Sequence, residues 1–288
     1  MSMFFSTALI GLGLSAQYAL LALGFTMIFG IIGVMNFAHG AFYALGGYVA
    51  YSMVSFFSWP YWLAVVAAAL VTAALGSLFE LVFIERRVND ELATLMLTLG
   101  LSSIITTGLV VKFGSESPQF AFPVEGVLDF AGLMLPLSSL VVIGVCALII
   151  VGVWVLMYRS NFGRSLRALS SDREVAGTLG LRAKLLFPLA FGVATGLAGV
   201  TGALVTPILA LEPHIGDRVL ATSFIVVILG GLGSLWGGVA AAVLVGMVEA
   251  YSSVYVGGSR GSLILFMLVL LILVFKPSGL FGREVRGA

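Results

Sequence analysis

At 288 residues, with 60% hydrophobic and only 9% charged side chains, the chain has far fewer charges than the roughly one quarter usual in soluble domains, which excludes a water-clothed exterior. A formal net charge of +1, with no like-charge run longer than Arg86-Arg87, excludes the basic field that nucleic-acid binding needs. The single cysteine, Cys146, lies in an apolar run and excludes an intrachain disulfide.

A helix must supply roughly 17 to 25 apolar residues to cross a hydrocarbon core of about 30 Å. Stretches of this kind occur at 5–30, 37–57, 61–84, 92–112, 136–157, 187–210, 219–232, 236–256 and 261–275, the seventh being short for a full span. The expected fold is therefore all-α: a polytopic transmembrane helical bundle of about 8–9 spans, forming a single domain over 1–288 in a lipid bilayer. No basic stretch and no small-residue cleavage site accompany the first run, so its helix is expected to remain in the mature protein. This run carries Gln17 and Tyr18 among small residues, where they either meet a passing solute or bond a neighbouring helix.

Gly30 to Gly40 then interrupts two apolar runs with Asn36, His39 and flexible glycines, but with no charge. Irregular backbone at membrane depth is tolerated only where protein packs around it or a wet cavity adjoins it, so this break is expected to point inward. His39 has no second His, Cys or acid at ligand spacing, which argues against a metal and makes a helix-break hydrogen bond its expected role. Glu80, close to the end of its run, is expected to snorkel toward Arg86 or the interface.

Orientation follows from Lys and Arg, which concentrate in short cytoplasmic loops. The loop 158–186 holds Arg159, Arg164, Arg167, Arg173, Arg182 and Lys184, six of the fourteen basic residues, and is expected in the cytoplasm together with Arg86, Arg87 and the C-terminal Lys276, Arg283 and Arg286. The segment 113–135 carries Glu116, Glu125 and Asp129 but no Lys or Arg, and reads as external. Counting back three spans puts the N-terminus outside, unless 31–40 re-enters without crossing. Within 158–186, Asp172 can cap a short amphipathic helix with Glu174 in its first turn, Val175, Ala176 and Leu179 on its apolar face, and Gly180 as its stop. Such a helix either packs on the bundle or enters a partner's groove, and docking is the expected role.

Further along, Gly192, Gly196, Gly199 and Gly202 are spaced for close helix approach. His214, between Glu212 and Asp217, falls in an external turn. A second break runs from Gly230 to Gly238, and the helices after the two breaks end alike, in Tyr48-Val49-Ala50-Tyr51-Ser52 and Val248-Glu249-Ala250-Tyr251-Ser252. Paired interruptions of this kind suggest an internal repeat, inverted or parallel, and point to a transport pathway. Glu249 lies well inside its run, where an acid either lines a pathway or packs as a neutral group.

Three motifs resemble the membrane subunits of bacterial ABC importers for branched-chain amino acids, in particular the shorter of their two permease subunits. They are Tyr18 to Gly24 running into Gly33 to Gly40 with its Asn36-Phe37-Ala38-His39-Gly40 core, Gly163 to Ala168 through Ala176 to Leu181, and Gly230 to Gly238. Lys276-Pro277-Ser278-Gly279-Leu280-Phe281-Gly282 is similar to the family's ending, whereas Ser170-Ser171 departs from the more acidic stretch of its relatives. The resemblance implies a permease domain in a bacterial inner membrane whose 158–186 segment is a coupling loop, with Arg164, Arg167, Asp172, Glu174, Ala176, Gly177, Leu179 and Gly180 meeting an ATPase. It implies as partners a homologous second permease subunit or a second copy of this chain, two cytoplasmic ABC ATPases and an external (periplasmic) solute-binding protein. The pathway residues it suggests, beside the reading above, are Gln17, Tyr18, Asn36, His39, Gly40 and Glu249. No Walker A loop occurs, so no cofactor is expected on this chain and ATP is expected to be used by the partner subunits. No Gly-x-Ser-x-Gly elbow or Ser-His pairing supports an enzyme. A secondary transporter or channel for a small solute such as urea or an amide is the alternative, but a self-sufficient carrier has no need of a docking loop.

Overall fold

The computed structural model describes residues 2–88, 90–130 and 133–282; Arg283 and Arg286 lie outside the described residues. Helix α1 (Ser2–Ile32), α2 (His39–Ser55), α3 (Tyr61–Phe79), α4 (Glu91–Phe113), α5 (Leu137–Arg159), α8 (Ala183–Val205), α9 (Ile215–Gly230), α10 (Leu235–Val256) and α11 (Gly258–Phe275) fall on the nine apolar stretches. Two shorter helices, α6 (Asn161–Ser171) and α7 (Arg173–Thr178), connect α5 to α8. Among the described residues six helices are long and apolar enough to cross a membrane, while α2 and α9 have only 17 and 16 residues. This is an all-α polytopic bundle.

Helix α1 is the axis of the bundle. Its 31 residues reach about 46 Å at 1.5 Å per residue, and from Gln17 to Ile28 nearly every side chain is buried. Small residues let its neighbours come close: a Cβ on Gly246 of α10 would collide with Ser15, whose hydroxyl instead donates to the Gly11 carbonyl at 2.6 Å. The glycines of α8 divide between two partners. Gly192 and Gly196 face Ala73 of α3, Gly199 faces Thr72 of α3 and Gly46 of α2, and Gly202 faces the Tyr43 carbonyl of α2. Thr195, fully buried on the same helix, donates to the Thr72 carbonyl at 3.0 Å.

After Ile32 the chain turns back on Gly33, at φ +80°, and climbs beside α1 before helix resumes. His39, the first residue of α2, stands at the depth of Leu21, with its Nε2 3.1 Å from the Leu21 carbonyl. Break and short helix together complete one crossing, so both ends of the 33–55 segment lie at opposite faces of the bundle. The mirror-image path occurs after α8: residues 206–214 return to mid-depth, and α9 starts with Gly216 against Gly40 and runs the other way, stacking Phe224 on Phe25 with centroids 4.6 Å apart. Two short helices thus begin back to back at mid-bundle and point to opposite faces. At 231–234 the chain breaks again between α9 and α10, where Ser234 accepts from the Gly237 N–H at 3.0 Å.

Three features depart from expectation. Glu80 does not snorkel: α3 widens into a π-turn over Glu80–Ile84, and the carboxylate is wholly buried without a hydrogen-bond partner. The 113–135 segment contains a small antiparallel hairpin, β1 (Val127–Phe130) with β2 (Leu133–Pro136), in which Leu128 is opposite Leu135. Four-residue strands are too short for their alternation to stand out. The 158–186 loop carries two helices, not one, since α6 precedes the expected one. At the same end of the molecule, the Leu280 N–H donates to the Leu229 carbonyl at 2.7 Å and Phe281 to Gly230 at 3.1 Å, so residues 280–281 satisfy carbonyls that the end of α9 leaves open.

Candidate translocation cleft and candidate docking helices

A cleft of about 730 Å³ opens between α1, α2, α9 and α10 at the end of the bundle remote from α6 and α7. Tyr18 and Glu249 meet inside it. The Tyr18 hydroxyl donates to a Glu249 carboxylate oxygen at 2.8 Å, across the α1–α10 contact that the small residues Gly11, Ser15 and Gly246 make close. Gln17 lines the same space, its amide 3.4 Å from the Tyr43 hydroxyl. The remaining polar wall comes from the start of α9 and the turn before it: Glu212, His214, Asp217, Arg218 and Thr222. His214 and Asp217 pair with each other at 3.5 Å, both largely exposed. Among the described residues no Lys or Arg forms an ion pair with Glu249.

Of the pathway residues expected from sequence, the fold brings Gln17, Tyr18 and Glu249 together and sets Asn36, His39 and Gly40 apart from the cleft wall. Asn36 and His39 are fully buried: Asn36 accepts from the Ala38 N–H at 3.0 Å, while the Asn36 amide nitrogen and His39 Nδ1 have no partner. Gly40 is the contact point of α2 on α9, where a Cβ would overlap the Gly216 carbonyl group. Tyr43, Arg218 and Thr222 are members of the cleft that the sequence does not single out; Tyr43 follows Gly40 by one turn, so the break that selects Gly40 also aims Tyr43 at α1.

Below the cleft the route along α1 is closed by rings. Phe224 lies 4.6 Å from Phe25 and 5.0 Å from Phe37, centroid to centroid. Beyond them a second hollow, of about 270 Å³, is lined by Thr26, Gly30, Gly233, Tyr158 and Arg167. Two hollows thus lie towards opposite ends of α1, with the Phe25, Phe37 and Phe224 rings between them.

The second hollow borders α6. Ser160 caps this helix by accepting from the Gly163 N–H at 3.1 Å, Leu166 and Leu169 are buried, and Arg167 donates to the Met157 carbonyl while its guanidinium lies 5.0 Å above the Tyr158 ring. Arg164 donates to the Asn161 Oδ1 one turn before it. Asp172 ends α6 and starts α7: its Oδ1 accepts from the N–H groups of Glu174 at 3.0 Å and Val175 at 2.9 Å. Gly180, at φ +87°, closes α7 with paired bonds, Gly180 N–H to Gly177 and Leu181 N–H to Ala176. Arg173 lies 5.0 Å above the Phe187 ring. The apolar face expected for α7 is divided: Ala176, 3% exposed, seats the helix on the bundle, whereas Val175 at 55% and Leu179 at 79% point away from it. Gly177 lies on this outer side with nothing within 4 Å of a Cβ placed there.

A family model described as "Branched-chain amino acid transport system / permease component" matches residues 7–275. The chain is 29% identical over 290 residues to the high-affinity branched-chain amino acid transport system permease protein BraD of Pseudomonas aeruginosa, covering 95% of this chain and 94% of that protein. It is 28% identical to LivH of Escherichia coli K12, with the same coverage, and 25% identical to LivM of that organism, covering 93% of this chain and 68% of LivM. The fold is also that of a chain in the structure of PsaBC from Streptococcus pneumoniae in complex with Fab, with a TM-score of 0.52 at 14% identity, covering 94% of this chain and 92% of that one.

Proposed function

We propose that this chain, which belongs to the family of branched-chain amino acid transport system permease components, is the membrane-spanning subunit of an ATP-binding cassette importer that carries branched-chain or other amino acids across the bacterial inner membrane. It is a permease, not an enzyme, and a multi-pass membrane protein. The observation that carries the ATP-driven reading is the outward apolar pair Val175 and Leu179 on the capped α7, a small helix seated on the bundle by Ala176 and by Arg173 over Phe187. An exposed apolar pair on a short helix suits insertion into a groove of another protein. In this reading Val175, Gly177 and Leu179 enter the ATPase, Arg164 and Glu174 flank the contact, and Asp172 and Gly180 hold the helix in shape, with Arg167 tying α6 to α5.

With α6 and α7 in the cytoplasm, the cleft at Tyr18 and Glu249 faces outward and receives solute from an external binding protein, and the N-terminus is external as well. ATP is bound and hydrolysed by two separate ATPase subunits, and no cofactor is held by this chain. The second permease is a homologous subunit, a reading supported by the likeness of this chain to both LivH and LivM. Closure of the ATPases would push α7, and through α6 and the Arg167–Met157 contact move α5 against α1, opening the Phe25, Phe37 and Phe224 seal.

The test is reconstitution of the full importer in proteoliposomes. Leu179→Asp is expected to lower ATP-driven L-leucine uptake by at least about tenfold, because a charge cannot be desolvated in an apolar groove without a partner. The thermal midpoint of the isolated permease should not move. Full uptake by the Leu179→Asp complex, or ATP-independent uptake by this chain alone in liposomes, would overturn the reading.

A further inference from the structure

We propose that Glu249 selects the charge of the cargo: its carboxylate takes the ammonium group of an amino acid in the cleft, with Tyr18 as the residue that positions it. This rests on the importer reading and adds a specificity-determining residue inside the membrane, separate from selection by an external binding protein. The cleft, at about 730 Å³, falls within the roughly 300–1,000 Å³ typical of small-molecule sites. Glu249 lines it seven residues before the end of α10, one oxygen held by the Tyr18 hydroxyl at 2.8 Å. Its other oxygen has no ion-pair partner among the described residues. An intramembrane carboxylate that is oriented by a neutral donor and lacks a cation favours a ligand that brings one.

The other acids of the cleft are less suited to this role. Asp217 already faces His214 at 3.5 Å, and Glu212 is exposed at the rim. Arg218 of α9, exposed at the rim of the same cleft, is free to meet the carboxylate of the zwitterion from solvent but is not needed for the selection by Glu249. A neutral solute such as urea would leave the half-buried Glu249 carboxylate unanswered, which is costly in a partly desolvated site.

The experiment uses the complete importer in proteoliposomes, with ATP inside and saturating leucine-loaded binding protein outside, and isoamylammonium or 4-methylpentanoate as competitors that carry only one charge of leucine. Isoamylammonium should inhibit wild-type uptake at least about tenfold more strongly than 4-methylpentanoate, the factor expected for one charge-assisted contact. Glu249→Gln should lower maximal uptake by about tenfold at an unchanged half-saturating concentration of binding protein, and weaken isoamylammonium inhibition by a similar factor, with Glu249→Asp recovering most of both. Uptake and inhibition within about twofold of wild type in Glu249→Gln, or lost uptake with unchanged isoamylammonium inhibition, would overturn the proposal and leave the importer reading standing. Wild-type complex that takes up no leucine under ATP would instead overturn the importer reading. If Glu249→Gln fails to assemble, Tyr18→Phe decides the matter, since weakened isoamylammonium inhibition supports the proposal and unchanged inhibition overturns it.

Discussion

Replacing Asp172 by alanine removes the acceptor of two backbone N–H groups, those of Glu174 and Val175, from the first turn of a six-residue helix. A helix that short has no stability of its own in water, because nucleation fixes several residues before propagation returns anything. Four contacts hold it: the Asp172 cap, the Gly180 closure, the buried Ala176 and Arg173 over the Phe187 ring. Loss of an N-cap costs about 0.5–2 kcal/mol, and the exposed setting of Asp172 argues for about 1 kcal/mol, a fivefold or so increase in the open population of α7. Global stability should not change, because α7 contributes only Ala176 to the core. Hydrogen exchange of the purified permease is the direct assay: amides of 174–178 should lose protection by about fivefold in Asp172→Ala, recover in Asp172→Asn, and leave α1 and α8 untouched. In the assembled importer the same variant should transport fewer solutes per ATP hydrolysed. Unchanged protection at 174–178, or a fall in protection throughout the bundle, would refute the view that α7 is locally capped and separately ordered.

Two further substitutions probe the bundle itself. Gly216→Val puts side-chain carbons where the Gly40 backbone passes, and should destabilise the bundle by about 1–3 kcal/mol or more, read as a lowered thermal midpoint in detergent; an unchanged midpoint would mean that α2 and α9 do not meet there. Tyr61→Phe removes the hydroxyl that donates to the Ala203 carbonyl at 3.0 Å, which should cost about 0.5–1.5 kcal/mol without changing leucine uptake, as Tyr61 lies outside the cleft; a loss of uptake at full stability would contradict this.

Helix α7 was largely legible in sequence because it is built from local rules. Asp172 as cap, Glu174 in the first turn and Gly180 as stop act over a few residues, and the structure has each in that position. What could not be read locally was which apolar residue seats the helix: Val175, Ala176 and Leu179 are equivalent by spacing, and only contact with the bundle turns Ala176 inward and leaves the other two exposed. The same limit explains Glu80. Distance from the helix end favours snorkelling, but a π-turn shifts the residue around the axis and buries it.

The apolar runs and the distribution of Lys and Arg determined by themselves that this is a helical membrane bundle, because the length of a span and the side to which positive loops keep are set by the bilayer and by no other part of the chain. The pairing of Tyr18 with Glu249, 231 positions apart, was decided only by tertiary structure. So was the meeting of Gly40 with Gly216, which makes the break near 36 one of a pair with 206–214. Both depend on how closely helices cross, and that distance is set by small residues on two partners at once, a property no single stretch of chain contains.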